Sequence, residues 1–533
     1  MPRSGSWLLP LLVMFAVAGC RAPPGAATHI TRADRHAAAT VMTASGPVIG
    51  VTSAEGQAYL GIPYARAPVG ALRWREPLPA VPWQTPRDAA TLGHQCVQNL
   101  SPGAQTGKAS HWLVIGDEDC LNLNIYTPST AKPGDRKPVM VWIYGGALVL
   151  GANRQYDPSV LARRQDVVTV AVNYRLAALG FLAHPALRAE AGGAANLGLL
   201  DQQAALRWVR DNIARFGGDP GNVTLFGESA GAWSVCAQLV APGARGLFQR
   251  AIVQSGPCTL NESTVPVADA DAGGVRYAAA LGCTGADAVA CLRRLSPRGV
   301  NAALAPSRGV LGPHAWNFIA GDSVLPEAPR EAFSRGHFAH VPVLIGNNAD
   351  EGRLFGFLLG KLGQLSDRRD YDARMASTFG AHADAVARAY PAARYPSLRD
   401  AYAAAVTDGV FACPTLSLST MLARATPTWR YAFTDPQAPF ALSRKADLGA
   451  YHASEIVYLF QTRWALADPA RFSPAQQALS DRMQKDWATF ARTGRLDGTP
   501  EGAPANVLYG PSLTPVDEGV PRVGCAFWDT IGL

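Results

Sequence analysis

The stretch Gly217-Gly218-Asp219-Pro220-Gly221-Asn222-Val223-Thr224-Leu225-Phe226-Gly227-Glu228-Ser229-Ala230-Gly231 decides how the chain is read. A cluster of turn residues leads into a short apolar run that ends in Gly-x-Ser-x-Gly, and residues 232–239 continue in a helix-compatible pattern. This is the sequence form of a nucleophile elbow, a serine on a sharp strand-to-helix turn with its hydroxyl lifted above a sheet edge. The flanking glycines serve that turn, because neighbouring backbone passes close to them where a Cβ would collide. The bare pattern also occurs in plain structural turns. Its single occurrence here, between a strand and a helix, makes Ser229 the candidate nucleophile.

Working outward, short apolar and β-branched runs at 139–144, 167–172, 223–226, 251–254 and 341–345 read as buried strands. Residues 201–216 read as a helix, with Ala205, Leu206, Val209 and Ile213 on one face. Ser473-Pro474 is a helix N-cap followed by proline at the first helical position. Leu479, Met483, Trp487 and Phe490 then line one face, and Gly494 stands where such a helix stops. Strands alternating with helices imply an α/β fold with a mainly parallel sheet covered on both faces. Ala/Arg-rich helical stretches near 380–425 are expected to insert over it.

The 533 residues are 48% hydrophobic and 17% charged, a globular composition with ample apolar content for a large core. The net charge of +7 is small for this length and no dense Lys/Arg block is present, which argues against a nucleic-acid partner. Residues 1–19 read as a signal peptide. Arg3 supplies the positive start, residues 7–18 are apolar, and Val17-Ala18-Gly19-Cys20 resembles a lipobox cleaved before a lipid-modified Cys20. Residues 20–40 read as a tether and 41–533 as one large domain, with no further apolar run long enough to span a bilayer. The expected location is the bacterial envelope, lipid-anchored in the periplasm or outer membrane, or otherwise secreted. Export permits disulfides, and removing Cys20 from nine cysteines leaves eight.

A serine hydroxyl needs a base, and with this elbow the acid and then the histidine follow downstream. Two histidines lie far enough along. His382 sits in Ala-rich helical sequence and reads as a solvated helix residue. His452, in the loop Gly449-Ala450-Tyr451-His452-Ala453-Ser454, is favoured by elimination. The acid is expected after the 341–345 strand, where Asp350 and Glu351 both fit on spacing. Backbone donors for an oxyanion are expected from Ala230, after the nucleophile, and from the Gly-rich loop Tyr144-Gly145-Gly146-Ala147.

These residues carry a resemblance. Gly61-Ile62-Pro63-Tyr64-Ala65, Glu118-Asp119-Cys120-Leu121-Asn122-Leu123-Asn124-Ile125, Asn196-Leu197-Gly198-Leu199-Leu200-Asp201-Gln202 and the elbow follow one another as in the type-B carboxylesterase/cholinesterase family. The resemblance runs from about residue 43 to 528 and implies an α/β-hydrolase fold with helical insertions over the active site. It implies Ser229 as nucleophile, Glu351 of the Asp-Glu-Gly motif as acid, and His452 before Glu455-Ile456 as base. The oxyanion donors become Gly146, Ala147 and Ala230. Many members carry a third glycine and an aromatic residue where this chain has Ala147-Leu148, which is expected to reshape the pocket entrance. Glu228 and Ser255 match family positions beside the triad. The resemblance also implies the disulfides Cys96–Cys120, Cys283–Cys291 and Cys413–Cys525. It leaves Cys236 as a buried thiol and Cys258 unassigned.

The implied activity is hydrolysis of small-molecule carboxylic esters through an acyl-enzyme, with no metal or organic cofactor. Trp112, inside the Cys96–Cys120 loop, is offset from the cholinesterase choline-binding position and reads as a packing aromatic. The alternatives are an esterase of narrow specificity, for choline, phenolic or toxin esters, or a non-catalytic binding protein on the same fold.

Overall fold

The computed structural model describes residues 36–532 apart from 54–55, 101–112, 261–262, 306, 310–311, 444–445, 498–505 and 511–522. Cys20, the signal segment and Trp112 therefore lie outside the described residues. Among the described residues eleven strands run across one sheet: β1 His36–Met42, β2 Pro47–Ser53, β3 Gly56–Pro63, β4 Asn122–Thr127, β5 Lys137–Ile143, β6 Val168–Val172, β7 Gly218–Glu228, β8 Arg250–Gln254, β9 Val343–Asn348, β10 Thr428–Phe433 and β11 Asn506–Tyr509. Their order is β1-β2-β3-β4-β6-β5-β7-β8-β9-β10-β11, and the two-residue strand Arg87–Asp88 on β2 makes twelve. The pairs from β1 to β6 are antiparallel. Every pair from β6 through β5 to β11 is parallel.

The parallel strands are apolar runs because both faces are covered. Val139 to Ile143 and Val168 to Val172 are buried throughout. Each predicted strand is present, with shifted ends. β7 begins at Gly218, because the Gly-Asp-Pro-Gly cluster runs extended through a register shift between Gly218 and Val223. β9 continues to Asn348, whose buried amide is held by hydrogen bonds to the Tyr451 carbonyl and the Glu455 carboxylate.

The helices used below are α1 Leu197–Asn212, α2 Ala230–Val240, α3 Glu351–Lys361, α4 Leu398–Val406, α5 Cys413–Ala423, α6 Ile456–Phe460, α7 Pro474–Thr493 and α8 Cys525–Thr530. α1 starts four residues before the predicted helix and passes into a 3-10 turn at Ile213–Phe216. In α7 the Ser473 hydroxyl accepts the Gln476 N–H, the Gln476 side chain accepts the Ser473 N–H, and Gly494 closes the helix at φ 75°. Its predicted face is buried, and each large side chain there contributes about 1.5–3 kcal/mol by leaving water. Helices between 368 and 413 form their own apolar cluster with Leu260 and Trp528, while Leu418 and Leu422 of α5 join the main core. Among the described residues no helix is long and apolar enough to cross a membrane.

Among the described residues four disulfides are present: Cys96–Cys120, Cys236–Cys258, Cys283–Cys291 and Cys413–Cys525. The second corrects the expectation of a free thiol at Cys236. The sulfur is buried, as expected, but the chain after β8 turns back over α2 and brings Cys258 onto it.

Candidate active site

β7 delivers Ser229 and α2 carries the chain away from it. The turn between them puts Ser229 at φ 56°, ψ −126°, a conformation that side-chain-bearing residues seldom adopt. Its N–H is held by the Gln254 carbonyl of β8 at 2.9 Å. The glycines are required by contact. A Cβ at Gly227 would lie 2.6 Å from the Ile143 carbonyl oxygen, and one at Gly231 would lie 2.0 Å from the same atom.

His452 and Glu351 come to this serine from two different loops. Glu351 opens α3 directly after β9, and His452 lies in the loop before α6. His452 Nε2 is 2.9 Å from Ser229 Oγ, and His452 Nδ1 is 2.6 Å from Glu351 Oε2. The other Glu351 oxygen accepts the Asn348 N–H at 2.7 Å. Glu351 is completely buried and His452 nearly so. The geometry separates the two acids that spacing left open. Asp350 turns the other way, pairing with Arg353 at 3.1 Å and accepting the Ala450 N–H. It thereby ties the histidine loop to the start of α3. His382 lies half-buried in the 3-10 turn Gly380–His382.

The Gly-rich loop after β5 packs on the elbow: a Cβ at Gly145 would lie 2.8 Å from the Ser229 Cβ. Gly146, Ala147 and Leu148 all have positive φ, at 115°, 55° and 61°, and Ala147 is exposed. The three predicted oxyanion donors thus belong to the two segments that meet at Ser229.

Three buried carboxylates surround the imidazole. Glu228 Oε1 is 3.2 Å from His452 Nε2, and burial raises its carboxyl well above the usual carboxylate range. Glu455 is raised by burial as well, and accepts from Gln254 and Asn348 side chains. Burial of the His452 ring lowers its proton affinity, but Glu228 and Glu351, with Glu455 beyond them, outweigh that and push its pKa up to about 9. Phe355 and Phe411 flank the ring at 5.0 and 4.9 Å. Ser255 is buried at φ 53°, its N–H bonded to the Gly346 carbonyl.

Sequence reasoning missed Gln254, Phe355, Phe411 and the Cys236–Cys258 bridge. For the bridge a signal existed, since three pairs drawn from eight cysteines leave two over. The aromatic pair had no local signal, because a helix-buried phenylalanine looks the same wherever it packs.

The model of the carboxylesterase family matches residues 37–514. A fumonisin B1 esterase of Sphingopyxis macrogoltabida is 37% identical over 457 residues, covering 84% of this chain and 78% of that protein. Para-nitrobenzyl esterase of Bacillus subtilis is 35% identical over 464 residues, 85% of this chain and 90% of its own. Human cocaine esterase is 33% identical over 472 residues, 85% and 82% respectively. Among solved structures, a PNB esterase superposes with a TM-score of 0.73 at 31% identity, covering 89% of this chain and 96% of its own.

Proposed function

The chain belongs to the carboxylesterase family and is a carboxylic ester hydrolase of α/β-hydrolase fold, and from that premise we propose that it works through an acyl-enzyme on Ser229. The observation that carries the reading is the unbroken line from Ser229 Oγ to His452 at 2.9 Å and from His452 to Glu351 at 2.6 Å. His452 takes the hydroxyl proton as Oγ attacks the ester carbonyl. Glu351 fixes the imidazole tautomer and stabilises the imidazolium. The N–H groups of Gly146, Ala147 and Ala230 receive the developing oxyanion. His452 then protonates the leaving alcohol, and a water activated in the same way releases the acid. The test is hydrolysis of p-nitrophenyl esters of increasing acyl length by the wild type and Ser229→Ala. Turnover that depends on the serine is the expected result. Equal turnover by a purified Ser229→Ala protein free of other esterases would refute the assignment.

The relatives named above are esterases of small molecules, which supports a small-molecule ester as substrate here. We also propose that the protein is exported and lipid-anchored at Cys20. The Val17-Ala18-Gly19-Cys20 sequence supports this, as do four disulfides, which belong to an oxidising compartment. Intact mass of the mature protein is expected to show a lipid-modified Cys20 at the N-terminus. An unmodified start beyond Cys20 refutes the anchor.

A further inference from the structure

Between α4 and α5 the chain runs through one π-helical segment, Thr407–Ala412, with all six residues buried. Such segments are rare and concentrate at functional sites, where the widened turn re-aims side chains. One side of this segment faces the candidate active site. The Phe411 ring lies 4.9 Å from the His452 imidazole and stacks on Phe355. The Thr407 hydroxyl accepts the N–H of Gly352, next to Glu351, at 2.9 Å and donates to the Ala403 carbonyl at 2.8 Å.

The other side is gripped by α8. The Trp528 ring lies so close to Gly409 that a Cβ there would be 2.4 Å from it. The Trp528 indole N–H donates to the Tyr390 hydroxyl at 3.1 Å, and that hydroxyl donates to the buried Asp408 carboxylate at 2.6 Å. Cys525, the first residue of α8, is bonded to Cys413, the residue that directly follows the π-helical segment. A helix of six residues has little stability of its own. Its place is therefore set by the bridge and by the buried Trp528.

We propose that α8 is a clasp that fixes the π-helical segment and, through Phe411 and Thr407, seats His452 and Glu351 for catalysis. Trp528 is then a positioning residue for a reaction it never touches. The inference rests on the assignment of Ser229, His452 and Glu351 made above. Without Trp528 the segment can relax into the space over Gly409, two residues from Phe411. Displacing a reacting group by about 1 Å costs on the order of 100-fold in rate.

The test compares Trp528→Ala and the milder Tyr390→Phe, in the full chain, with a control lacking the Cys283–Cys291 bridge (Cys283→Ala/Cys291→Ala). Each is titrated with a p-nitrophenyl phosphonate, so that kcat is expressed per reactive serine and unfolded protein drops out. Trp528→Ala is expected to lose about tenfold or more in kcat per reactive serine, with KM within about twofold, because the groups displaced do not hold substrate. Tyr390→Phe is expected to lose kcat in the same direction by a smaller factor, and the control to keep wild-type kcat. If both variants keep wild-type kcat per reactive serine and lose only thermal stability, α8 merely stabilises the fold and the proposal is overturned. Failure of the underlying assignment would look different: the wild type would not be phosphonylated, or Ser229→Ala would still turn over.

Discussion

His452 and Glu228 meet on the nitrogen that faces the candidate nucleophile: Nε2, 2.9 Å from Ser229 Oγ, is also 3.2 Å from Glu228 Oε1. A carboxylate so placed stabilises the imidazolium, and it is the leading one of those that push the His452 pKa up to about 9. In the proposed mechanism the neutral ring accepts the serine proton, so turnover is expected to rise as pH passes upward through that pKa. Glu228→Gln removes the negative charge while keeping the shape. The acid limb of kcat/KM is expected to move to lower pH by about one unit or more. An unmoved limb would show that Glu228 carries no charge when the enzyme works and that Glu351 holds the His452 proton without it.

The same shift has a stability counterpart. The folded-state pKa of His452 lies above its unfolded value of 6.5, so the folded state binds this proton more tightly. The stabilisation is fully present below 6.5 and is lost as pH rises through about 9. Urea unfolding at about pH 6 and about pH 10 is expected to show a larger loss of stability in the wild type than in Glu228→Gln. Equal losses would place the alkaline destabilisation elsewhere in the molecule.

Glu351 is completely buried and spends one oxygen on His452 and the other on the Asn348 N–H. Glu351→Gln keeps the volume but replaces the ionic acceptor with an amide that can present a donor to Nδ1, which favours the wrong tautomer. The expected result is a fall in kcat on the order of 10³-fold or more with little change in KM. Asp350→Asn, by contrast, weakens the pair with Arg353 and the tie to Ala450, and is expected to act on stability before rate.

What the sequence made legible follows from where the physics is local. The elbow could be read because its constraints lie within fifteen residues: a strand pattern, two glycines forced by close backbone, and a helix start. α7 was equally plain, since its N-cap, its apolar face and its closing glycine are all written in one stretch. The choice of Glu351 over Asp350 was not local. It depends on which way each side chain leaves the end of β9, and only the resemblance anticipated it. Phe411 and Trp528 were out of reach for the same reason. The roles proposed for them arise from a π-helical widening and from a helix over a hundred residues further on, held by the Cys413–Cys525 bridge. Apolar periodicity records that such residues are buried and says nothing about what they are buried against.

The Cys236–Cys258 bridge joins α2 to the loop after β8. The end of β8 supplies the Gln254 carbonyl that holds Ser229, and the loop supplies the Gly256 backbone that packs on the Ser229 carbonyl. With a sequence separation of 22, the bridge is expected to stabilise the protein by about 3 kcal/mol, mainly by restricting the unfolded chain. Cys236→Ala/Cys258→Ala is therefore expected to lose about that amount in denaturant unfolding without reductant. An unchanged midpoint would mean that the loop is already ordered in the unfolded ensemble.

Arg73 connects one disulfide-closed loop to the segment that follows a second one. Its Nε and Nη2 grip Glu118, inside the Cys96–Cys120 loop, at 2.6 and 2.5 Å. Its Nη1 donates to the Leu295 carbonyl at 2.7 Å, just beyond the Cys283–Cys291 loop. The Arg73 and Glu118 side chains are only 6% and 9% exposed, so water cannot replace either partner. Glu118→Ala leaves the guanidinium buried and uncompensated, and is expected to cost about 3–5 kcal/mol. Removing both charges as Arg73→Met/Glu118→Leu is expected to cost less than that single change, because no ion is then left in the interior. Denaturant midpoints of the three proteins decide it. If the double variant is the less stable, the arginine's carbonyl bonds rather than its charge pairing hold the two segments together.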